Sequence, residues 1–240
     1  MQSFRKLFKF AALNLLRNKR RSVSTGLAIC VGFVGLNLLG AYIYRVKKAL
    51  DATSVYSSLR GHVQIYKKDS LVKFAQKPKL YIFNKIELEE IKKVLQNQLS
   101  DIEYTGYNLS GSGLLSNGVR SHPVVALSYE PEVYAKSLSQ PELLKWAKDW
   151  VLPSQVENID IFNVNDQVIS ITPKIADIMG FSRPLKSSGS AQLAARTFDG
   201  DLNAVNVDLA AEHTTGLQYL EDTIILVPLV KMQELLGTTA

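Results

Sequence analysis

A single cysteine, Cys30, stands in 240 residues, so the chain can form no internal disulfide. An exported domain without that staple fits a bacterial periplasm or an equivalent exterior better than an animal extracellular space. The triplet Asn108-Leu109-Ser110, formally a glycosylation acceptor, is too common by chance to alter this. Histidine is nearly as scarce. His62, His122 and His213 lie far apart without carboxylate or thiol companions at metal-ligand spacing, which predicts surface or strand histidines and no metal site. The phosphate-gripping pattern G-x-x-x-x-G-K-[ST] is missing, which excludes ATP hydrolysis by that route. Glu89-Glu90 and Glu221-Asp222 are adjacent acids, which point apart on a helix or strand, and Gly111-Ser112-Gly113 lacks the flanks of a nucleophile elbow. The chain therefore does not read as an enzyme, and no cofactor is expected.

Charge is missing from one long stretch. Val23 to Tyr44 runs about 22 residues without a charged side chain, and a helix of that length is about 33 Å long, enough to cross a hydrocarbon core. It is too long for the apolar core of a cleaved signal peptide, and Tyr42 to Lys48 are bulky and charged where small residues would precede a cut. Before the run stand Arg5, Lys6, Lys9, Arg17, Lys19, Arg20 and Arg21 with no acid among them; after it come Arg45, Lys47 and Lys48. Cations resist transfer, so this imbalance predicts a cytoplasmic N-terminus, with Arg17, Lys19, Arg20 and Arg21 as the inside-retaining cluster. Removing those seven leading cations from the net charge of +6 leaves residues 23–240 at about −1, so the basic excess suits an anionic inner leaflet and gives no support to nucleic-acid binding.

Within residues 1–22, Phe4, Leu7, Phe8 and Leu15 recur at helical spacing with cations on another face, which predicts an interfacial helix followed by a basic turn. Residues 23–45 are the expected transmembrane helix. On it Ala28, Gly32 and Gly35 share a face and Asn37 lies nearly opposite, so small residues and a buried amide predict packing against neighbouring helices. Residues 46–240 form the exported part, with 46–59 continuing the helix as a stalk that Gly61 ends.

Further along, His62 to Tyr66 alternates like a strand. Asn84 with Glu87 opens a helix whose stripe is Leu88, Ile91, Leu95 and Leu99. Hairpins are expected at Asn117-Gly118 and Asp199-Gly200, with glycines 106, 111 and 113 marking bulges. Trp146 and Trp150, four apart, would share a helical face as core or subdomain-interface packing, Ile161 to Ile171 reads as a strand, and Pro173 to Met179 reads as a short helix closed by Gly180. A strand from Thr223 and a helix to Leu236 end the chain so abruptly that a fragment is expected.

FAALNLLRNKRRSVSTGLAICVGF resembles the opening of the MacB/LolC/LolE-type (FtsX-like) ABC transporter permeases. GHVQIYKKD is similar to the first strand after that family's stalk, LLSNGVRSHPVVALSYEPE and FDGDLNAVNVDLAAEHTTG to its two hairpins, and LEDTIILVPLVKMQELLG to its closing strand and helix. The resemblance implies an α+β periplasmic core: an α/β subdomain from 46–130 and 221–240, with a β-rich subdomain, 131–220, inserted. It implies an inner-membrane permease subunit that works with a second permease subunit, as homo- or heterodimer, and a separate cytoplasmic ABC ATPase. Its task would be lipoprotein release or export of an amphiphile, with a lipoprotein or periplasmic carrier as an exterior partner. The alternative expectation is an adaptor or binding module held by one helix, with no ATPase.

Overall fold

The computed structural model describes residues 2–99, 101–150, 168–182, 185 and 189–238. The chain divides into two compact units, 1–48 and 49–240.

The first unit is helical. α1 covers Gln2–Arg17, and after the single turn residue Asn18 the helix resumes as α2, Lys19–Ala52. Asn18 does not break the backbone ladder, since its N–H reaches the Asn14 carbonyl and its own carbonyl accepts from Ser22. The expected basic turn is thus mostly the first turn of α2. Leu7 is exposed on α1, whereas the side chains of Phe4, Phe8 and Leu15 lie outside the described residues.

In the second unit six strands among the described residues close into a barrel: β1 Ser110–Ser116, β2 Ser121–Tyr129, β3 Val168–Ile171, β4 Gly189–Arg196, β5 Leu202–Glu212 and β6 Ile224–Pro228, in the order β1-β2-β6-β3-β5-β4. β2 runs parallel to β6 and β3 parallel to β5, while the remaining neighbours are antiparallel. The molecule is therefore mixed helix and sheet, as α+β composition requires. The barrel draws strands from both 46–130/221–240 and 131–220.

Alternation fills the barrel. Leu115, Val124, Ile169, Leu193, Val207 and Ile225 are among its buried inward residues, each Leu or Ile contributing about 1.5–3 kcal/mol on burial. α8, Pro173–Met179, follows β3, and α9, Leu229–Leu236, follows β6. Because β3 and β6 are antiparallel, these helices close opposite ends. α8 sits by the β1–β2 turn, where Asn117 Nδ2 donates to the Met179 carbonyl at 2.9 Å; α9 sits by the β4–β5 turn, where Phe198 N donates to the Leu236 carbonyl at 3.0 Å.

The outer face carries a second core. α6, Pro131–Leu138, and α7, Pro141–Trp146, cover Tyr129, Val168, Ala211 and Leu226 with Tyr134, Leu138 and Leu143, and Trp146 and Trp150 pack at its margin as expected. The last turn of α2 belongs to this layer.

Several local expectations change in the structure. The first turn centres on Gly118-Val119, one residue later than expected, because Asn117 N pairs with the Arg120 carbonyl at 3.1 Å and Gly118 takes φ 84° at the first central position. β1 begins at Ser110, not near Ile102, and its pairing with β2 is continuous, so Gly111 and Gly113 mark no bulge there. They are close approaches: a Cβ on Gly113 would lie 2.6 Å from the Ala194 carbonyl oxygen. His62 to Tyr66 forms no strand: the chain bends at His62 and pairs with no strand among the described residues, with Val63 exposed. The strand expected from Ile161 is seen from Val168, and residues 161–167 lie outside the described residues.

Candidate functional site

Ala28, Gly32, Gly35 and Asn37 all lie on α2, exposed, and a Cβ added at Gly32 or Gly35 would meet nothing within 4 Å. Asn37 has a partner already, since its Nδ2 donates to the Phe33 carbonyl at 2.7 Å within the same helix. Arg17 ends α1, and Lys19, Arg20 and Arg21 open α2, all exposed. From Lys19 to Ser57 the chain is long and apolar enough to cross a membrane.

The densest set of polar contacts surrounds the end of α2. The helix passes Ala49 and Ala52, 2% and 4% exposed, into a π-helical turn, Thr53–Ser57, before Leu59 and Gly61 take φ 58° and 63° and end it. Ser137 of α6 donates its hydroxyl to the Tyr56 carbonyl at 2.7 Å. Thr53 is buried against Gly216, where a Cβ would come within 2.8 Å of its Cγ2; Gly216 also holds φ 71°, so glycine is required twice over.

Gly216 belongs to the connection between β5 and β6, which Glu221 ties down. Its Oε1 accepts from Thr214 Oγ1, Thr215 N and Thr215 Oγ1, each at 2.7 Å, while its carbonyl accepts from the Thr172 hydroxyl. At the start of that connection His213 is buried, with Nδ1 3.0 Å from Ser170 Oγ. Burial alone lowers its pKa to about 3, so the ring is neutral at ordinary pH. His213 is thus neither on the surface nor within a strand as expected, but buried just after β5, with a hydroxyl beside it. A bulge explains this: Ile169 pairs with Leu209 but Ser170 with Ala211, so the residues after Ala210 join the outer layer. Ser170 and His213 are both buried, 0% and 2% exposed. His122 Nε2 sits 2.6 Å from the Asp222 carbonyl, and His62 packs edge-on against Tyr56.

A cleft of ≈ 590 Å³ opens where the parallel strands β2 and β6 end, between Glu130–Val133 and Pro228–Val230. Burial raises the Glu130 carboxyl, opposed by the hydrogen bond its Oε2 accepts from Tyr107 N at 2.8 Å. Glu132 is the other ionisable residue of the lining, and its charge adds to the rise at Glu130. Among the described residues no group of three or more His, Cys, Asp or Glu is placed to hold a metal ion.

The end of the helix at Thr53 thus meets a tight glycine contact on a connection that a carboxylate pins. Sequence reasoning finds the stalk and its Gly61 stop but misses Thr53, Gly216, Glu221 and Ser170, which meet only in the fold. No protein-family model matches the chain, and no curated protein sequence matches it.

Proposed function

We propose that this chain is the N-terminal part of a MacB/LolC/LolE-type permease subunit, transmitting work from a cytoplasmic ABC ATPase to a domain on the far side of a bacterial inner membrane. The observation that carries the reading is the run of α2. One uninterrupted helix extends from Lys19 to Ala52, and its last turn is built into a hydrophobic core through Ala49 and Ala52. A flexible linker would dissipate displacement, whereas a packed helix end passes it on, because close-packed interiors deform little. In this reading the cationic cluster from Arg17 to Arg21 holds the N-terminus in the cytoplasm, α1 lies in the inner interface, and the domain from residue 46 is the periplasmic core. A second permease subunit completes the membrane assembly, and the domains move a lipoprotein or other amphiphile, or engage its carrier.

Affinity isolation of the full chain from its native membranes tests this. A stoichiometric nucleotide-binding subunit and vanadate-sensitive ATP hydrolysis in the isolated complex are expected. The chain alone, or with exterior partners only, supports the other reading, an adaptor anchored by one helix. That reading is favoured by the exposed apolar side chains between Val63 and Leu99, which suit a docking module.

A further inference from the structure

Between the stalk and β1 the chain adds a satellite that buries little of itself. α3, Ser70–Lys73, and α4, Pro78–Tyr81, are joined by a short connection, and α5, Lys85–Gln98, follows with no buried residue at all. Leu71 and Val72 are each 79% exposed and Leu80 is 63% exposed. Leu71 and Val72 on α3 and Leu80 on α4 thus place three exposed aliphatic side chains on two neighbouring short helices.

The display is held in place. The Phe74 ring meets Phe198 edge-on at 5.8 Å between centroids, and Lys79 pairs with Asp199, so the satellite is fastened to the β4–β5 turn. Lys67 bridges to Glu87 at 2.7 Å and lies over the Phe83 ring at 5.5 Å, which ties the start of α5 to the same body.

Charge identifies the occupant. Residues 67–83 contain five lysines and one acid, Asp69, whose carboxylate is taken by Lys73 at 2.9 Å. Lys68 and Lys77 have no carboxylate partner among the described residues. Aliphatic tips interleaved with unpaired lysines match an anionic lipid surface, which accepts apolar side chains at any lateral position while its headgroups meet the ammonium groups. A protein partner would instead need a broad complementary patch of about 800 Å² on each side.

We infer that the α3–α4 satellite docks on an anionic bilayer surface, with Leu71, Val72 and Leu80 entering the headgroup region and Lys68 and Lys77 contacting phosphates. The inference rests on the membrane reading of α2 in one respect: a chain anchored there has a bilayer at hand. Docking gives the domain a second lipid contact besides α2.

The test uses the full chain with Cys30→Ser, carrying one nitroxide label at Val72→Cys, Leu36→Cys or Val119→Cys, in nanodiscs of phosphatidylcholine alone or mixed with phosphatidylglycerol. Val119, 90% exposed at the β1–β2 turn, reports water and folding; Leu36 reports the helix. The expected result is a label at 72 that collides with oxygen more than with a water-soluble nickel chelate, chiefly in the anionic discs. Lys68→Ala combined with Lys77→Ala lowers the docked-to-undocked ratio about 25-fold, at about fivefold per lysine, with the 119 spectrum unchanged. A water-like label at 72 in both lipids, with label 36 in hydrocarbon, overturns the docking and leaves the membrane helix standing. A water-exposed label at 36 removes both. A label at 72 immobilised only in discs holding two chains assigns the surface to a second copy and likewise overturns the proposal.

Discussion

His213 Nδ1 lies 3.0 Å from Ser170 Oγ, and the other ring nitrogen, Nε2, is buried without a partner among the described residues. Either tautomer therefore leaves one ring nitrogen unsatisfied, at a cost that a core position rarely carries. Protonation would add a buried charge with no carboxylate to meet it, and burial accordingly holds the pKa near 3.

That depression makes stability depend on pH. The folded pKa, about 3, lies below the ordinary value of 6.5, so between these values the unfolded chain binds the proton and the folded one does not. The contribution is present above pH 6.5 and is lost as pH falls towards 3. From pH 7 to pH 5 the loss is about 2 kcal/mol, at about 1.4 kcal/mol per unit below the ordinary pKa. Denaturant titrations of the full chain in detergent, compared with His213→Gln, check this: the variant's stability should fall less steeply over that range. Parallel slopes would remove His213 from the account.

The contact between Thr53 and Gly216 gives a coupled pair. Gly216→Ala places a methyl 2.8 Å from Thr53 Cγ2 at a φ of 71°, and should destabilise the domain by about 1–3 kcal/mol. Thr53→Ala deletes that methyl together with a buried hydroxyl that has no partner, so alone it should cost little. In the double variant the steric part of the Gly216→Ala cost disappears and only the backbone strain remains. A double-mutant cycle measured by chemical denaturation should give a coupling of about 0.5–2 kcal/mol. Strict additivity would show that the two sites do not press on one another.

These contacts mark the boundary of what the sequence makes legible. Asn84 and Glu87 form their reciprocal cap as their spacing predicts, and Gly180 and Gly237 close α8 and α9 at φ 76° and 67°, because caps depend on neighbouring residues alone. The alternation of Val63 and Ile65 misleads, since a strand also requires a partner edge and none is offered. Closure of β1 on β4 and the parallel pairing of β2 with β6 join distant segments, which no local pattern encodes. His213 is hidden for a subtler reason: the bulge after Leu209 changes which residues face the outer layer, and nothing in Leu209-Ala210-Ala211 announces it. The helix end at Gly61 is legible, whereas its meeting with Gly216 requires the whole barrel.

The cap on α5 should fail locally. Asn84 Oδ1 accepts from Glu87 N at 2.9 Å, and Asn84 N donates to Glu87 Oε2 at 2.7 Å. Asn84→Ala removes the first bond at a cost of about 1 kcal/mol to the helix. Because α5 buries no residue, that loss should appear as roughly fivefold faster amide exchange in its first turns, with the global midpoint unmoved. A matching drop in the global midpoint would mean that α5 is coupled to the barrel.

The long apolar helix α2 offers the sharpest separation of folding from assembly. At Gly32 and Gly35 an added side chain meets nothing within 4 Å, so leucine at either place costs the single chain no steric clash. Leucine is also the better helix former by about 0.8 kcal/mol per site. Any defect in Gly32→Leu/Gly35→Leu must therefore come from helices outside this chain that approach along the small-residue face. Loss of that close approach should weaken assembly by about 1–2 kcal/mol, roughly tenfold in the association constant. Sedimentation of the detergent-solubilised chain, or its yield with co-purifying subunits, reads this directly, while an unchanged melt of the 49–240 unit within the full chain shows that folding is intact. Undiminished assembly would mean that the glycine face is not where a partner helix packs.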